Sequence, residues 1–222
     1  MSETLPPKVA VVDIDGTLVS GNCNMLMGKK LARGLAGLRA VAKAIGLGLT
    51  AASNPNIVTE MMSLSSSFFA GKTENEMTAD LRRVFESEIR PRIIRPMAER
   101  IREHKRHGAQ VWLSAPVPQH LADLLAKETG ADRALGLILR VDSSGRLTGE
   151  VEGAAPYRIG KRDVVLRELS AAGISPSETV FYSDAISDLP LLEAVGKPVC
   201  VNPQRPLLEE ARRRGWPVEH WR

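Results

Sequence analysis

At 222 residues, with 43% apolar and 25% charged side chains, the chain has the composition of an ordinary soluble globular protein, either one domain with an insertion or two unequal domains. Aromatic residues make up only 4%, too few for base-stacking platforms, and the net charge of +4 is too mild to demand a polyanion, so nucleic acid is not an expected partner. The opening MSETLPPK has neither a basic nor an apolar signal region, and the most apolar helical stretch, residues 41–52, contains Lys43 and falls short of the ~20 residues of a membrane span. A cytoplasmic protein with no membrane contact is therefore expected, monomeric or homodimeric, with Cys23 and Cys200 as free thiols.

The first predicted element is a strand. Val9 to Ile14 is an almost continuous run of β-branched apolar residues, the pattern of a strand buried on both faces, and it runs into Asp13 and Asp15. Residues from about 24 to 107 then read as helical throughout. NMLMGKKLARGLAGLRAVAKAIGLGL is a long amphipathic pattern, and TENEMTADLRRVFESEI opens with Thr73 and Glu76 in capping-box spacing. A further helix starts near Pro96 and stops at Gly108. His104 and His107, one turn apart at its C-terminus, are expected only to complement the helix dipole as cations.

From residue 109 strands and helices alternate. AQVWLS reads as a strand and PQHLADLLAKE as a helix ending near Gly130, and LGLILRVDSSGRLTGEVE as a hairpin across Ser-Ser-Gly. KRDVVLRELSAAG, TVFYSD, LPLLEAVG, PVCVN and PLLEEARRRG follow as helix, strand, helix, strand and helix, with Arg212 to Arg214 read as a solvated face. This order predicts an α/β fold: a doubly wound, Rossmann-like parallel sheet formed by residues 1–20 and 108–222, with a small β-hairpin. Residues 21–107 form an inserted α-helical cap that selects the substrate. Ligands of such sheets sit beyond the carboxyl ends of the strands, which singles out Asp13, Asp15, Ser114 and Asp184.

Most of these residues have ordinary alternatives when taken singly. Asp184 and Asp188 could be an N-cap and a first-turn acid, Ser114 another N-cap, and Lys161 an exposed helix lysine. Asp13 is different, because an acid ending a buried strand needs a partner. Four segments stand in order: DIDGTLV (13–19), LSAP (113–116), GKRD (160–163) and YSDAISDLP (182–190). Together they resemble the haloacid dehalogenase superfamily of phosphohydrolases, in the branch near phosphoserine phosphatases that carries a helical cap after the first motif. The tail KPVCVNPQRPL is similar to that branch's usual ending.

The resemblance implies a Mg2+-dependent phosphomonoesterase acting on a small phosphorylated metabolite. Asp13 would be the nucleophile, giving an aspartyl-phosphate, and Asp15 the general acid and then base. Gly16 turns the chain so that backbone N–H groups face phosphoryl oxygens, and Ser114, the Ala115 N–H and Lys161 would hold the phosphoryl group. By the same resemblance the Asp13 side chain, the Asp15 carbonyl and Asp184 bind the metal and Asp188 orients its waters, oxygen ligation that suits Mg2+.

Rival readings share parts of this set: a phosphotransferase or mutase, a dehalogenase, or a non-enzymatic phosphate-binding protein. The general acid and the metal-type acid pair argue against the dehalogenase, and the complete set of acids with the lysine argues against the binder. Two positions depart from the branch's pattern, Pro116 and Ala185, both of which usually hold serine. A third departure is Asn22, where relatives acting on phosphoserine have a glutamate for the amine. Since no acid lies between Asp15 and Glu60, phosphoserine is expected to be a poor substrate.

Overall fold

The computed structural model describes residues 6–31 and 66–221. The opening pentapeptide and residues 32–65, where most of the first long amphipathic pattern falls, lie outside the described residues. The chain runs from β1 (Val9–Asp13) into α1 (Cys23–Leu31), then α2 (Glu74–Val84), a π-helical turn (Phe85–Ile89), a 3-10 turn (Arg90–Arg92) and α3 (Arg95–Arg106). It continues through β2 (Gln110–Pro118), α4 (Gln119–Thr129), β3 (Arg133–Val141), β4 (Leu147–Glu152) and α5 (Ile159–Ala171). β5 (Thr179–Ser183), α6 (Leu189–Leu192), β6 (Lys197–Val201), α7 (Arg205–Arg214) and β7 (Val218–Glu219) complete it.

Among the described residues the strands form one sheet in the order β4-β3-β2-β1-β5-β6-β7. Every neighbouring pair is parallel except the β3–β4 hairpin. The α/β Rossmann-like core expected from the alternating pattern is thus present. Val9 through Val12 are wholly buried, as their continuous apolar run requires. Strand alternation sends Ala10 and Val12 to one face, with Leu113, Leu121 and Leu125, and Val9 and Val11 to the other, with Trp112, Phe181 and Leu169. Each buried Val, Leu or Phe among them contributes about 1.5–3 kcal/mol by leaving water.

The apolar cluster on the first face runs without a break into the helices that follow β1, taking in Met27, Phe69, Met77, Leu81, Phe85 and Ile89. The capping box at α2 forms as its spacing predicts: the Glu76 N–H donates to Thr73 Oγ1 (3.3 Å) and the Thr73 N–H to Glu76 Oε2 (2.8 Å). The two chain passages between sheet and helices lie side by side. The Ser20 N–H donates to Arg92 O and the Ile94 N–H to Leu18 O, both at 2.8 Å.

Three elements differ from the sequence reading. LPLLEAVG yields only the single turn of α6; Gly196, which lies against the Ser177 carbonyl where a Cβ would come within 2.0 Å, then leads into Lys197 and β6. β2 runs on to Pro118 rather than stopping at Ser114, but its pairing with β3 is irregular between Ser114 and Pro118, freeing the LSAP backbone from a regular ladder. The two-residue β7 carries too little pattern to be read in advance.

His104 does more than face the helix dipole as a cation. Its Nε2 lies 2.8 Å from the Tyr182 hydroxyl, and burial, reinforced by the nearby Arg100 guanidinium, pushes its pKa below the ordinary histidine value. His107 and Lys197 act in the same direction and Glu103 opposes them. The unfolded chain therefore binds the proton more readily, so this residue's contribution to stability falls as pH drops below about 6.5. The difference in urea-unfolding free energy between wild type and His104→Gln should narrow as pH is lowered from about 7 to about 5. A pH-independent difference would mean that the imidazole is not held neutral.

Candidate active site

β1 lies where the strand order reverses, with β2 on one side and β5 on the other, the position at which doubly wound sheets bind ligands. Register brings the chemistry together there: Asp13 is opposite Ser114 across β1–β2, and Ser183, the last residue of β5, precedes Asp184. A cavity of about 260 Å3 at this edge is lined by Asp13, Asp15, Lys161 and Asp188.

Lys161 reaches this edge from the first turn of α5. Its Nζ, almost wholly buried, donates to Asp13 Oδ1 (2.6 Å) and Asp188 Oδ2 (2.8 Å). Burial works against the ammonium, but the charges of Asp13 and Asp188 outweigh it and hold its pKa above the ordinary lysine value. It is therefore a fixed cation and not an exposed helix lysine. Burial pushes the Asp13 carboxyl well above the usual range; Lys161 opposes that shift, while Asp188 and Asp184 reinforce it. One ammonium thus sits against two buried carboxyl groups, Asp13 and Asp188, with a third, Asp184, close enough to Asp13 to raise its pKa.

Asp188 is held from a second side by the Ser183 hydroxyl, which donates to Oδ2 at 2.7 Å, and it makes no side-chain cap to α6. The Asp184 carboxylate accepts from Gln204 Nε2 (3.0 Å) and from Thr17 Oγ1 (3.4 Å). It lies against Gly16, whose φ of +82° suits glycine and where a Cβ would fall 2.3 Å from Asp184 Oδ2. Burial, first, and then Asp188 raise the Asp184 pKa, in spite of the Gln204 hydrogen bond. Ser114 is fully buried and its hydroxyl has no partner among the described residues, which leaves a donor beside Asp13.

Asp15 sits apart from that cluster and is held by the start of α1: the Cys23 N–H donates to Oδ1 (2.8 Å) and Asn22 Nδ2 to Oδ2 (3.1 Å). Burial raises its pKa, and the Cys23 contacts partly offset this. The buried Cys23 thiol is itself pushed well above its ordinary pKa, by burial first and Asp15 next, so it stays protonated and is no nucleophile.

The residues fit a small hard cation. Among the described residues no three acidic, histidine or cysteine side chains close into a cage by themselves. Mg2+ does not require such a cage, since it keeps several waters and takes one or two carboxylates. Buried carboxyl groups outnumbering their one ammonium, with glycine where a side chain would crowd Asp184, are the donor set such an ion uses.

Eight residues were singled out from the sequence. Asp13, Ser114 and Lys161 meet at the strand ends with Asp184 and Asp188; Asp15 and Gly16 flank them, and Ala115 is buried next to Ser114. Sequence reasoning missed Ser183, Gln204 and Thr17, which lie inside or beside quoted motifs and whose hydrogen bonds depend on the fold. It also missed Tyr157 and Asn24, which line the cavity.

Comparison with known proteins agrees with this geometry. The haloacid dehalogenase-like hydrolase family model matches residues 10–193. Phosphoserine phosphatase SerB1 of Mycobacterium tuberculosis (strain ATCC 25618 / H37Rv) is 31% identical over 236 residues, covering 100% of this chain and 74% of that protein. A histidinol-phosphatase of Neisseria meningitidis serogroup C (strain 8013) is 32% identical over 147 residues, 64% of this chain and 66% of its own. The crystal structure of a protein of unknown function from Bordetella pertussis Tohama I superposes with a TM-score of 0.87 at 25% identity, over 97% of this chain and 99% of that one. The chain belongs to the haloacid dehalogenase-like hydrolase family and is a phosphatase of that family.

Proposed function

We propose that the protein is a Mg2+-dependent phosphomonoesterase that hydrolyses a small phosphorylated metabolite through an aspartyl-phosphate on Asp13. The observation that carries this reading is the buried Lys161 ammonium, 2.6 Å from the Asp13 carboxylate at the end of a buried strand. That arrangement sets the nucleophile's carboxyl beside a fixed positive charge, which opposes the rise in its pKa that burial causes and also attracts a phosphoryl dianion. An Asp13 oxygen attacks phosphorus while the bond to the leaving oxygen breaks, and Asp15 gives that oxygen its proton. Asp15 then takes a proton from the water that attacks phosphorus, the bond to Asp13 breaks, and inorganic phosphate leaves. Ser114 donates its hydroxyl to a phosphoryl oxygen, with the Ala115 N–H beside it.

Asp13, the Asp15 carbonyl and Asp184 would hold Mg2+, with Asp188 orienting its waters; when bound, the ion offsets the negative charge of phosphate and carboxylates. Residues 21–107 act as the substrate-selecting cap, of which α1 brings Asn22 and Asn24 to the cavity. The cavity's size and the names of two relatives, a phosphoserine phosphatase and a histidinol-phosphatase, support a small metabolite.

A panel of small phosphomonoesters, phosphoserine among them, assayed with Mg2+ and with excess chelator tests this reading. Turnover should require Mg2+, Asp184→Ala should raise the Mg2+ concentration at half-maximal rate, and phosphoserine should rank below some neutral or more acidic ester. Full activity in chelator would remove the metal from the proposal, and transfer to an added alcohol in preference to water would favour a phosphotransferase.

A further inference from the structure

We infer that Asn22 is a positioning residue for the proton donor, fixing Asp15 to the first turn of α1; the inference rests on the phosphomonoesterase reading above. Asn22 uses both ends of its amide. Its Oδ1 accepts the Met25 N–H at 3.0 Å, which makes it the N-cap of α1, and its Nδ2 donates to Asp15 Oδ2 at 3.1 Å. The next residue adds a second anchor, the Cys23 N–H to Asp15 Oδ1 at 2.8 Å. Asn24 then ties the same turn to the second motif, its Nδ2 donating to Pro116 O at 3.0 Å.

Three consecutive residues therefore give N–H groups to the turn after β1 and to the end of β2. Both Asp15 oxygens are held by the start of α1, while Asp13 is held by Lys161 of α5. The nucleophile is positioned by the core and the proton donor by the helix after it. The amide is the group this task needs. A serine N-cap would close the helix but could not reach across with a second donor, and a carboxylate would repel Asp15. An Asn22 amide engaged at both ends is also poorly placed to serve as a substrate-amine ligand.

The consequence is specific to proton transfer. A displaced Asp15 slows esters whose leaving oxygen needs a proton, and slows much less those whose leaving group departs as a stable anion. The test is a leaving-group series, from alkyl phosphates to p-nitrophenyl phosphate, measured on wild type and two variants of the full chain. Asn22→Ser keeps a good N-cap and removes the amide. Asn22→Gly likewise removes the amide at a position where glycine is an accepted cap, and answers the question by itself if Asn22→Ser does not fold.

In each variant kcat/KM for the alkyl esters should fall at least about 10-fold more than for p-nitrophenyl phosphate, steepening the dependence of log kcat/KM on leaving-group pKa. Parallel loss across the whole series, as a general disturbance of the site would produce, overturns the positioning role, and so does an unchanged slope. If wild type hydrolyses no member of the series, the phosphomonoesterase reading itself falls; if it does and only the slope fails to move, Asn22 alone was misassigned.

Discussion

Asp13→Asn is expected to abolish phosphate release while the protein stays folded. The amide is no nucleophile towards phosphorus, so no aspartyl-phosphate can form and the remaining groups have nothing to act on. The fold should tolerate the change, since the side chains are nearly the same size and Lys161 keeps its hydrogen bond to Asp188 at 2.8 Å. The amide oxygen of the new residue can still accept from the ammonium at the strand end. Loss of turnover with an unchanged thermal transition is the expected pair of measurements. Release of phosphate at a rate near wild type would exclude covalent catalysis through this residue.

Lys161→Met should harm both activity and stability. The ammonium and both of its carboxylate partners are almost wholly buried, their side chains only 2–6% exposed. Removing the cation leaves two buried carboxyl groups without their counter-charge, and breaking a buried pair in this way costs about 3–5 kcal/mol. An exposed pair such as Arg205–Glu209 is screened by solvent, and its loss should scarcely register. Activity should fall by at least about 10^2-fold, the scale for removing one preorganised charge from the reacting group. Urea unfolding in chelator, compared with wild type, checks the stability arm, and phosphate release in saturating Mg2+ checks the other. A variant as stable as wild type would mean that Asp13 and Asp188 do not rely on Lys161 for their charge balance.

The contrast between these two substitutions follows from where each residue's partners come from. Asp13 needs only its own strand to reach the edge of the sheet. Lys161 is delivered from α5, 148 residues further along the chain, and becomes the centre of the site only because the β1–β5 and β1–β2 pairings close around it. The same holds for Asp188, which Ser183 at the end of β5 turns towards Lys161.

Much of the fold could be read from the sequence, and the eight residues singled out there are ones that the fold brings to or beside the carboxyl ends of the strands. A buried parallel strand must be apolar on both faces, so VAVV declares itself, and an acid at its end has no structural use without a partner. Helix starts at Thr73 and Pro96 and the stop at Gly130 follow from local hydrogen bonding and φ preferences that need no tertiary contact. The roles of Asn22, Gln204, Ser183 and His104 could not be read in that way. An asparagine before a helix looks like any N-cap, and a histidine in a last turn looks like any dipole partner. What separates them is a second contact from a distant segment: Asp15 for Asn22, Tyr182 for His104, Asp184 for Gln204. Local chemistry depends on neighbours along the chain and is written in the order of residues, whereas the partner of a side chain's second hydrogen bond is chosen by strand register and helix docking, which exist only once the sheet has formed.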